Sequence, residues 1–439
     1  MAEHVFVGFG FGPIQAGLFA KEAFQSGNFR RIVVAEIDQR LVDAVRANGG
    51  SYHVNIAMSD RVEAATIENI ELLNPTRPEE AEALRATLAG ATEIATCLPS
   101  VTFYDSDSGN SIAALIAEGL CHRKADATIV YAAENNNHAA EILEEAVAQR
   151  LERGTGILPV CSESMGKMPM PRVQFLNTVI GKMSQVVIDS REIERRGLTP
   201  IAPGIDRAFL VEEFNRILVS KTTVSGFTPG IEVFMEKDDL LPFEEAKLYG
   251  HNAIHALLGF IGTLKGYTKM TEIRGDEPLT RAARQAFMDE SGGALVQKYA
   301  SLGDELFTEA GYRHFAEDLL ERMTNPHLAD TVARASRDVV RKLGVSDRIF
   351  GTMALATEYG IEPRNMAMGA LAGIALLLAG AGEYGLPEEL RLSDWRDIEW
   401  DHLARLLAWL WQEPIRPPFR SLVDCVYAAK SPLIHLIDG

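Results

Sequence analysis

Lys247, Asn252 and His255 lie within nine residues of one another in the stretch Ala246-Lys247-Leu248-Tyr249-Gly250-His251-Asn252-Ala253-Ile254-His255. The segment has helical periodicity, and at about 100° per residue the three side chains fall at roughly 0°, 140° and 80°. One helical face can therefore present all three. Oxidation of an alcohol needs a proton acceptor, a donor that stabilises developing oxyanion charge and a group that orients the hydroxyls. Lysine, asparagine and histidine supply those chemistries. A lysine acts as base only when desolvation or a neighbouring cation lowers its pKa towards about 7–8. By spacing alone, the same three residues also suit an ordinary helix with a solvated lysine and a half-buried histidine and asparagine.

A second cluster opens the chain. Val5-Phe6-Val7-Gly8-Phe9-Gly10-Phe11-Gly12-Pro13 is an apolar run that breaks into alternating glycines before a helical pattern. Gly8, Gly10 and Gly12 would permit a tight turn and let backbone approach a pyrophosphate at a helix N-terminus. Arg31-Ile32-Val33-Val34-Ala35-Glu36 reads as a second strand ending in an acid. There the Glu36 carboxylate can accept hydrogen bonds from the adenosine ribose hydroxyls. Glu36 and Asp38 would repel a 2′-phosphate, which favours NAD over NADP, with Arg40 as the opposing signal. The pattern departs from strict GxGxxG, since Pro13 takes the sixth position and the next glycine is Gly17. Cys97-Leu98-Pro99-Ser100 and Ala133-Glu134-Asn135-Asn136-Asn137 follow further strand-like runs and should border the cofactor, with Asn135 a candidate contact to the nicotinamide ribose.

The elements that must hold these residues alternate in the first half: strands at His4 to Gly8, Arg31 to Ile37, Ala91 to Leu98 and Ala127 to Ala133, with helices at Pro13 to Gly27 and through Ala47. The pattern predicts an α/β fold, with an N-terminal Rossmann-like doubly wound sheet and a mainly α-helical C-terminal domain. Helical periods at Phe209–Ile217, Phe243–Leu264, Leu279–Phe287, Phe315–Met323 and Asp330–Leu343 dominate the rest, with one extended stretch at Ile231–Phe234. The Pro- and Gly-punctuated Leu198–Gly204 places the boundary between domains 1–202 and 203–439.

The 439-residue chain carries 43 Lys plus Arg against 61 Asp plus Glu, a formal charge of −18. That charge repels nucleic acid and anionic lipid. Cys97, Cys121, Cys161 and Cys425 form no zinc-type spacing and read as buried thiols in a reducing cytoplasm, with no metal site expected. The N-terminus has no export-signal pattern. The uncharged run from Asn365 to Gly382 only reaches the lower end of the roughly 17–25 residues that span a membrane, and reads as a buried helix. A soluble monomer or homodimer is expected.

Lys247, Asn252 and His255 resemble the K-x4-N-x2-H motif of the polyol-specific long-chain dehydrogenases, the family of mannitol dehydrogenase and mannitol-1-phosphate 5-dehydrogenase. Ser51-Tyr52-His53-Val54 and Phe175-Leu176-Asn177-Thr178-Val179-Ile180-Gly181-Lys182 are similar to further family segments in the right order, the latter to F-P-N-x-M-V-D-R, with Gly181-Lys182 where Asp-Arg is usual. The resemblance covers Val5 to about Leu378. It implies a metal-independent, NAD-dependent oxidoreductase of a sugar alcohol or sugar-alcohol phosphate. In that reading Lys247 is the general base, Asn177 and Asn252 hold the substrate oxygen, and His255 orients lysine and substrate. Lys182 as a phosphate binder and Arg364 as a substrate contact stay open. The rival readings are a dehydrogenase of the same two-domain plan acting on a hydroxyacid or phosphogluconate-like substrate, and a non-catalytic NAD-binding regulator.

Overall fold

The structure is a computed structural model that describes residues 4–152, 172–417 and 419–439. It divides into two compact units, Met1–Leu241 and Pro242–Gly439.

The first unit is built on a sheet of eight strands in the order β12-β11-β8-β7-β6-β1-β2-β5. Its centre consists of β1 (His4–Phe9), β2 (Phe29–Ala35), β6 (Glu93–Thr96) and β7 (Thr128–Ala132), all parallel. The near-continuous burial of Val5–Phe9 and of Ile32–Ala35 is what a parallel strand covered on both faces requires. Crossover helices α1 (Ala20–Ser26), α2 (Gln39–Ala47), α3 (Pro78–Leu88), α4 (Ile112–Cys121) and α5 (Ala139–Glu152) follow the strands as expected. Outer strands β5 (Ile70–Leu73) and β8 (Val173–Ile180) extend the parallel order, and β11 (Ile217–Ser220) joins β8 antiparallel before β12 (Phe234–Lys237).

A second sheet, β4-β3-β10-β9, is absent from the sequence reading. It comprises β3 (Tyr52–Ala57), β4 (Val62–Ile67), β9 (Ser184–Val187) and β10 (Ala208–Glu212). The Tyr52 hydroxyl donates to the Ala16 carbonyl at 2.8 Å and ties this sheet to the turn that precedes α1.

Three expectations are corrected here. Phe209–Ile217 is not a helix: Ala208–Glu212 is β10, buried along its whole length, and Ile217 starts β11. A strand buried on both faces shows no two-residue alternation, so its apolar run mimics a helix. The compact units divide at 241/242 rather than 202/203, because β10, β11 and β12 return residues 203–241 to the sheets. Asp330–Leu343 is two short helices, broken at Asp338, whose φ is +59°.

The second unit is helical, with α6 (Leu241–Glu245), α7 (Ala253–Leu264), α8 (Glu309–Met323), α9 (Val332–Ser336), α10 (Val339–Lys342), α11 (Phe350–Glu358) and α12 (Arg364–Ala379) among its elements. The α12 helix carries the long uncharged run and is buried along nearly its full length. No described helix is long and apolar enough to cross a membrane. Cys97 and Cys425 are free and only half-buried, which departs from the expectation of buried thiols. Cys161 lies outside the described residues.

Candidate active site

In the first unit the strand β1 ends in the glycine turn. Gly10 has φ +80°, its N–H donates to Ala35 O at 2.9 Å, and a Cβ there would stand 3.0 Å from the Cys97 carbonyl. A Cβ on Gly12 would meet nothing within 4 Å, so open space lies where the helix begins. Unbonded N–H groups of a first helical turn face such a space and attract anions. Glu36, at the end of β2, ties the turn in place. Its Oε2 accepts from Phe11 N at 2.8 Å and its Oε1 from Asp38 N at 2.7 Å. A carboxylate offers about four lone-pair sites, so Glu36 retains acceptors for ribose hydroxyls. Asp38 caps α2 and pairs with Arg207 at 3.0 Å. Gly8, Gly10, Gly12 and Glu36 are thus brought together, and the cradle fits an adenine dinucleotide.

The loops after β6 and β7 are joined by Glu134, which the sequence reading placed in a loop bordering the cofactor without a role of its own. Glu134 is buried, and its Oε2 accepts from Thr96 Oγ1 at 2.8 Å and from the Tyr104 hydroxyl, while Oε1 accepts from Leu98 N at 2.8 Å. Burial pushes the Glu134 carboxyl up, opposed by these donors. Asn135 follows it on the exposed side of the loop. Asn177 lies in β8, where its Oδ1 accepts from Ala140 N at 2.8 Å and its Nδ2 donates to Glu141 at 2.7 Å, holding the start of α5. Lys182 Nζ donates to Phe214 O at 2.6 Å.

In the second unit Lys247 and Asn252 sit in a π-turn, Ala246–Asn252, which runs directly into α7 and His255. With the backbone bond reaching the fifth residue rather than the fourth, Lys247 and Asn252 come one turn apart along the helix. This replaces the wide angular separation of the ideal α-helical spacing. Burial is the main reason the Lys247 amine is lowered from 10.5 to about 8, with Glu244 opposing and the Arg348 guanidinium adding to the shift. His255 Nε2 lies 2.9 Å from Asp330 Oδ2, and Arg334 lies 2.8 Å from the same carboxylate. These partners hold Asp330 down to about 2 although it is buried. Burial lowers the His255 imidazole, so the pair is a neutral ring donating to an ionised carboxylate. His251, in the π-turn, is buried and held well below its ordinary value, first by burial and then by His255, Arg322, Lys247 and Arg348.

Lys247, Asn252 and His255 are therefore brought together, while Asn177 belongs to the other unit. Arg364 is exposed and pairs with Glu362 at 2.7 Å, as a surface arginine does. Asp330 and Arg348 had no signal in the sequence, because each lies far along the chain from the residues it serves, whereas Glu134 lay in a loop expected to border the cofactor but the donors it gathers come from residues 30 to 38 positions earlier. No group of three His, Cys, Asp or Glu among the described residues is arranged to hold a metal.

Residues 239–409 match the mannitol dehydrogenase C-terminal domain family. Mannitol-1-phosphate 5-dehydrogenase of Arthrobacter sp. (strain FB24) is 27% identical over 405 residues, covering 92% of this chain and 90% of that protein. The enzyme of the same name from Pseudarthrobacter chlorophenolicus is 28% identical over 404 residues, covering 92% and 89%. Among solved structures, a D-sorbitol dehydrogenase in substrate-free form shares the fold with a TM-score of 0.70 at 15% identity, covering 96% of this chain and 95% of that one. Pseudomonas fluorescens mannitol 2-dehydrogenase, solved as a ternary complex with NAD and D-mannitol, shares it with a TM-score of 0.68 at 16% identity, covering 99% and 94%. The helical unit thus matches the mannitol dehydrogenase C-terminal domain family, and the similarity to the two mannitol-1-phosphate 5-dehydrogenases runs nearly the whole length of this chain.

Proposed function

We propose that this protein is an NAD-dependent polyol dehydrogenase that oxidises a secondary hydroxyl of a sugar alcohol or sugar-alcohol phosphate to the ketose and catalyses the reverse reduction. The observation that carries this reading is Lys247, lowered to about 8 in a π-turn that also bears Asn252 and leads into the anchored His255. An amine near that value is neutral often enough at physiological pH to accept a hydroxyl proton and remains basic enough to hold it. The match of residues 239–409 to the mannitol dehydrogenase C-terminal domain family, and relatives whose names specify mannitol 1-phosphate, support the substrate class.

In this reading Lys247 Nζ takes the proton from the substrate hydroxyl. Asn252 donates its amide N–H to the oxygen as negative charge develops, which is where a fixed dipole contributes most. Asn177 takes the part of the second amide of the pair only through the resemblance of its segment to the family's, its amide in the first unit being bonded to Ala140 N and Glu141. His255, held by Asp330, orients the lysine and the substrate. Gly8, Gly10, Gly12 and Glu36 would hold NAD, with Asn135 at its ribose. Held there, NAD would supply the hydride acceptor for oxidation at the carbinol carbon.

The test is NADH formation by the purified protein with D-mannitol, D-sorbitol and mannitol 1-phosphate, in the presence of EDTA and with NAD or NADP. Reduction of NAD that survives EDTA is expected. Binding of NADH without turnover of any polyol, polyol phosphate or matching ketose would instead support a regulator.

A further inference from the structure

Glu93 opens β6, at the end of the sheet opposite the glycine turn, and is completely buried. A carboxylate so placed is costly unless donors or a cation surround it. Gly230 N donates to Glu93 Oε1 at 2.7 Å, the Ile231 N–H donates to the same carboxyl, and the Tyr131 hydroxyl of β7 donates to Oε2 at 3.0 Å. The one basic group within ion-pair reach among the described residues is His4 of β1, whose Nδ1 lies 3.3 Å from Oε1. Burial lowers the His4 imidazole, so the ring brings no fixed positive charge. Burial also pushes the Glu93 carboxyl up from 4.5 to about 7, against its three donors.

Through Gly230 and Ile231 the carboxyl fastens residues 227–233, which lie against the base of the sheet and lead into β12. Asn28 Nδ2 donates to Gly230 O at 2.8 Å and to Glu232 Oε1 at 3.3 Å. The His4 ring meets Phe227 edge-on with centroids 6.0 Å apart, and the Tyr131 ring lies 4.5 Å from that of Phe234. The approach is close: a Cβ on Gly230 would stand 2.5 Å from Phe29 Cζ and 2.9 Å from Glu93 Oε1. The titratable groups around the contact are His4 from β1, Tyr131 from β7, Glu232 from the segment itself and Glu236 from β12, the last acting on the Tyr131 hydroxyl, while β2 contributes Phe29. None of them offers an ionised Glu93 a fixed positive charge.

We propose that Glu93 is a proton-operated latch: neutral, it keeps Gly230 and Ile231 on the base of the sheet, and ionised, it is better solvated by water, so that residues 227–233 open. In the neutral form Oε1 still accepts from Gly230 N, and Oε2 can give its proton to the Tyr131 oxygen. Because the carboxyl is raised in the fold, the fastening is complete below about pH 4.5 and is lost as pH rises through about 7.

The experiment is hydrogen–deuterium exchange of the full chain between pH 5 and 9, read as protection relative to the free amide rate at each pH, for a peptide spanning 224–234 and for α5 as internal reference. In the wild type, protection of the Gly230 and Ile231 amides should fall about seventyfold from pH 5 to 8 and then level, as a carboxyl raised from 4.5 to about 7 requires, while α5 stays constant. Glu93→Gln keeps an acceptor for Gly230 N and cannot ionise, so it should hold the protection of pH 5 throughout. Gly230→Ala displaces the segment from Phe29 and Glu93 and should show the open level already at pH 5. A flat wild-type profile overturns the latch without recourse to any variant, and so does a fall shared equally by α5, which marks general loosening of the unit. A Glu93→Gln variant that keeps the wild-type slope assigns the titration to another group and overturns it too. If that variant does not fold, Gly230→Ala decides, undiminished protection at pH 5 meaning that the carboxyl does not hold the segment.

Discussion

The pH dependence of the oxidation should report Lys247 directly. An amine at 10.5 is neutral in about one molecule in three thousand at pH 7, whereas one at about 8 is neutral in about one in ten. Burial and Arg348 therefore raise the population of competent base about three hundredfold at neutral pH. Because the base acts in its neutral form, kcat/KM for oxidation should rise about tenfold per pH unit below 7.5 and level off above about 9. Lys247→Ala should lose that rise together with about 10²–10⁴-fold in kcat, while its NADH affinity, measured by fluorescence titration, stays within about twofold of the wild type. The assay is initial-rate NADH formation at saturating NAD in a constant-ionic-strength buffer series. A flat profile between pH 6.5 and 9, or an alanine variant within tenfold of the wild type, would refute Lys247 as the base.

Glu134→Gln should raise KM for NAD about tenfold with a smaller effect on kcat, because one of the three donors it gathers from the end of β6 and the segment after it loses its acceptor; the same change should cost about 1–3 kcal/mol in urea unfolding. An unaltered KM at reduced stability would leave Glu134 a purely structural group. Asp330 lies at about 2 in the fold against an ordinary 3.8, so its stabilisation is present above about pH 4 and is lost as pH falls through about 2. Asp330→Asn should accordingly be less stable than the wild type by about 2 kcal/mol at pH 6, and the gap should close near pH 2 in paired urea titrations.

The features readable from the chain were those encoded within a few residues. The glycine turn, Glu36 one strand later and the Lys247–His255 spacing are local patterns, because a tight turn, a strand end and a helix face are each set by neighbours in sequence. The parallel core was legible for the same reason, through buried β-branched strands separated by helical periods. Two local readings failed where burial erased the period: β10 looks helical because all five of its residues are buried, and its return to the second sheet moved the division of the chain to 241/242.

What only the tertiary structure decided is which distant charges act on the local motif. His255 acquires Asp330 from 75 residues away, Lys247 acquires the field of Arg348, and Thr96, Leu98 and Tyr104 converge on Glu134. The π-turn was equally out of reach, since it depends on a backbone bond one residue longer than the helical rule assumes. Residue types name the chemistry a segment can perform; the pKa at which it performs it depends on burial and on charges delivered by folding, which no local spacing encodes.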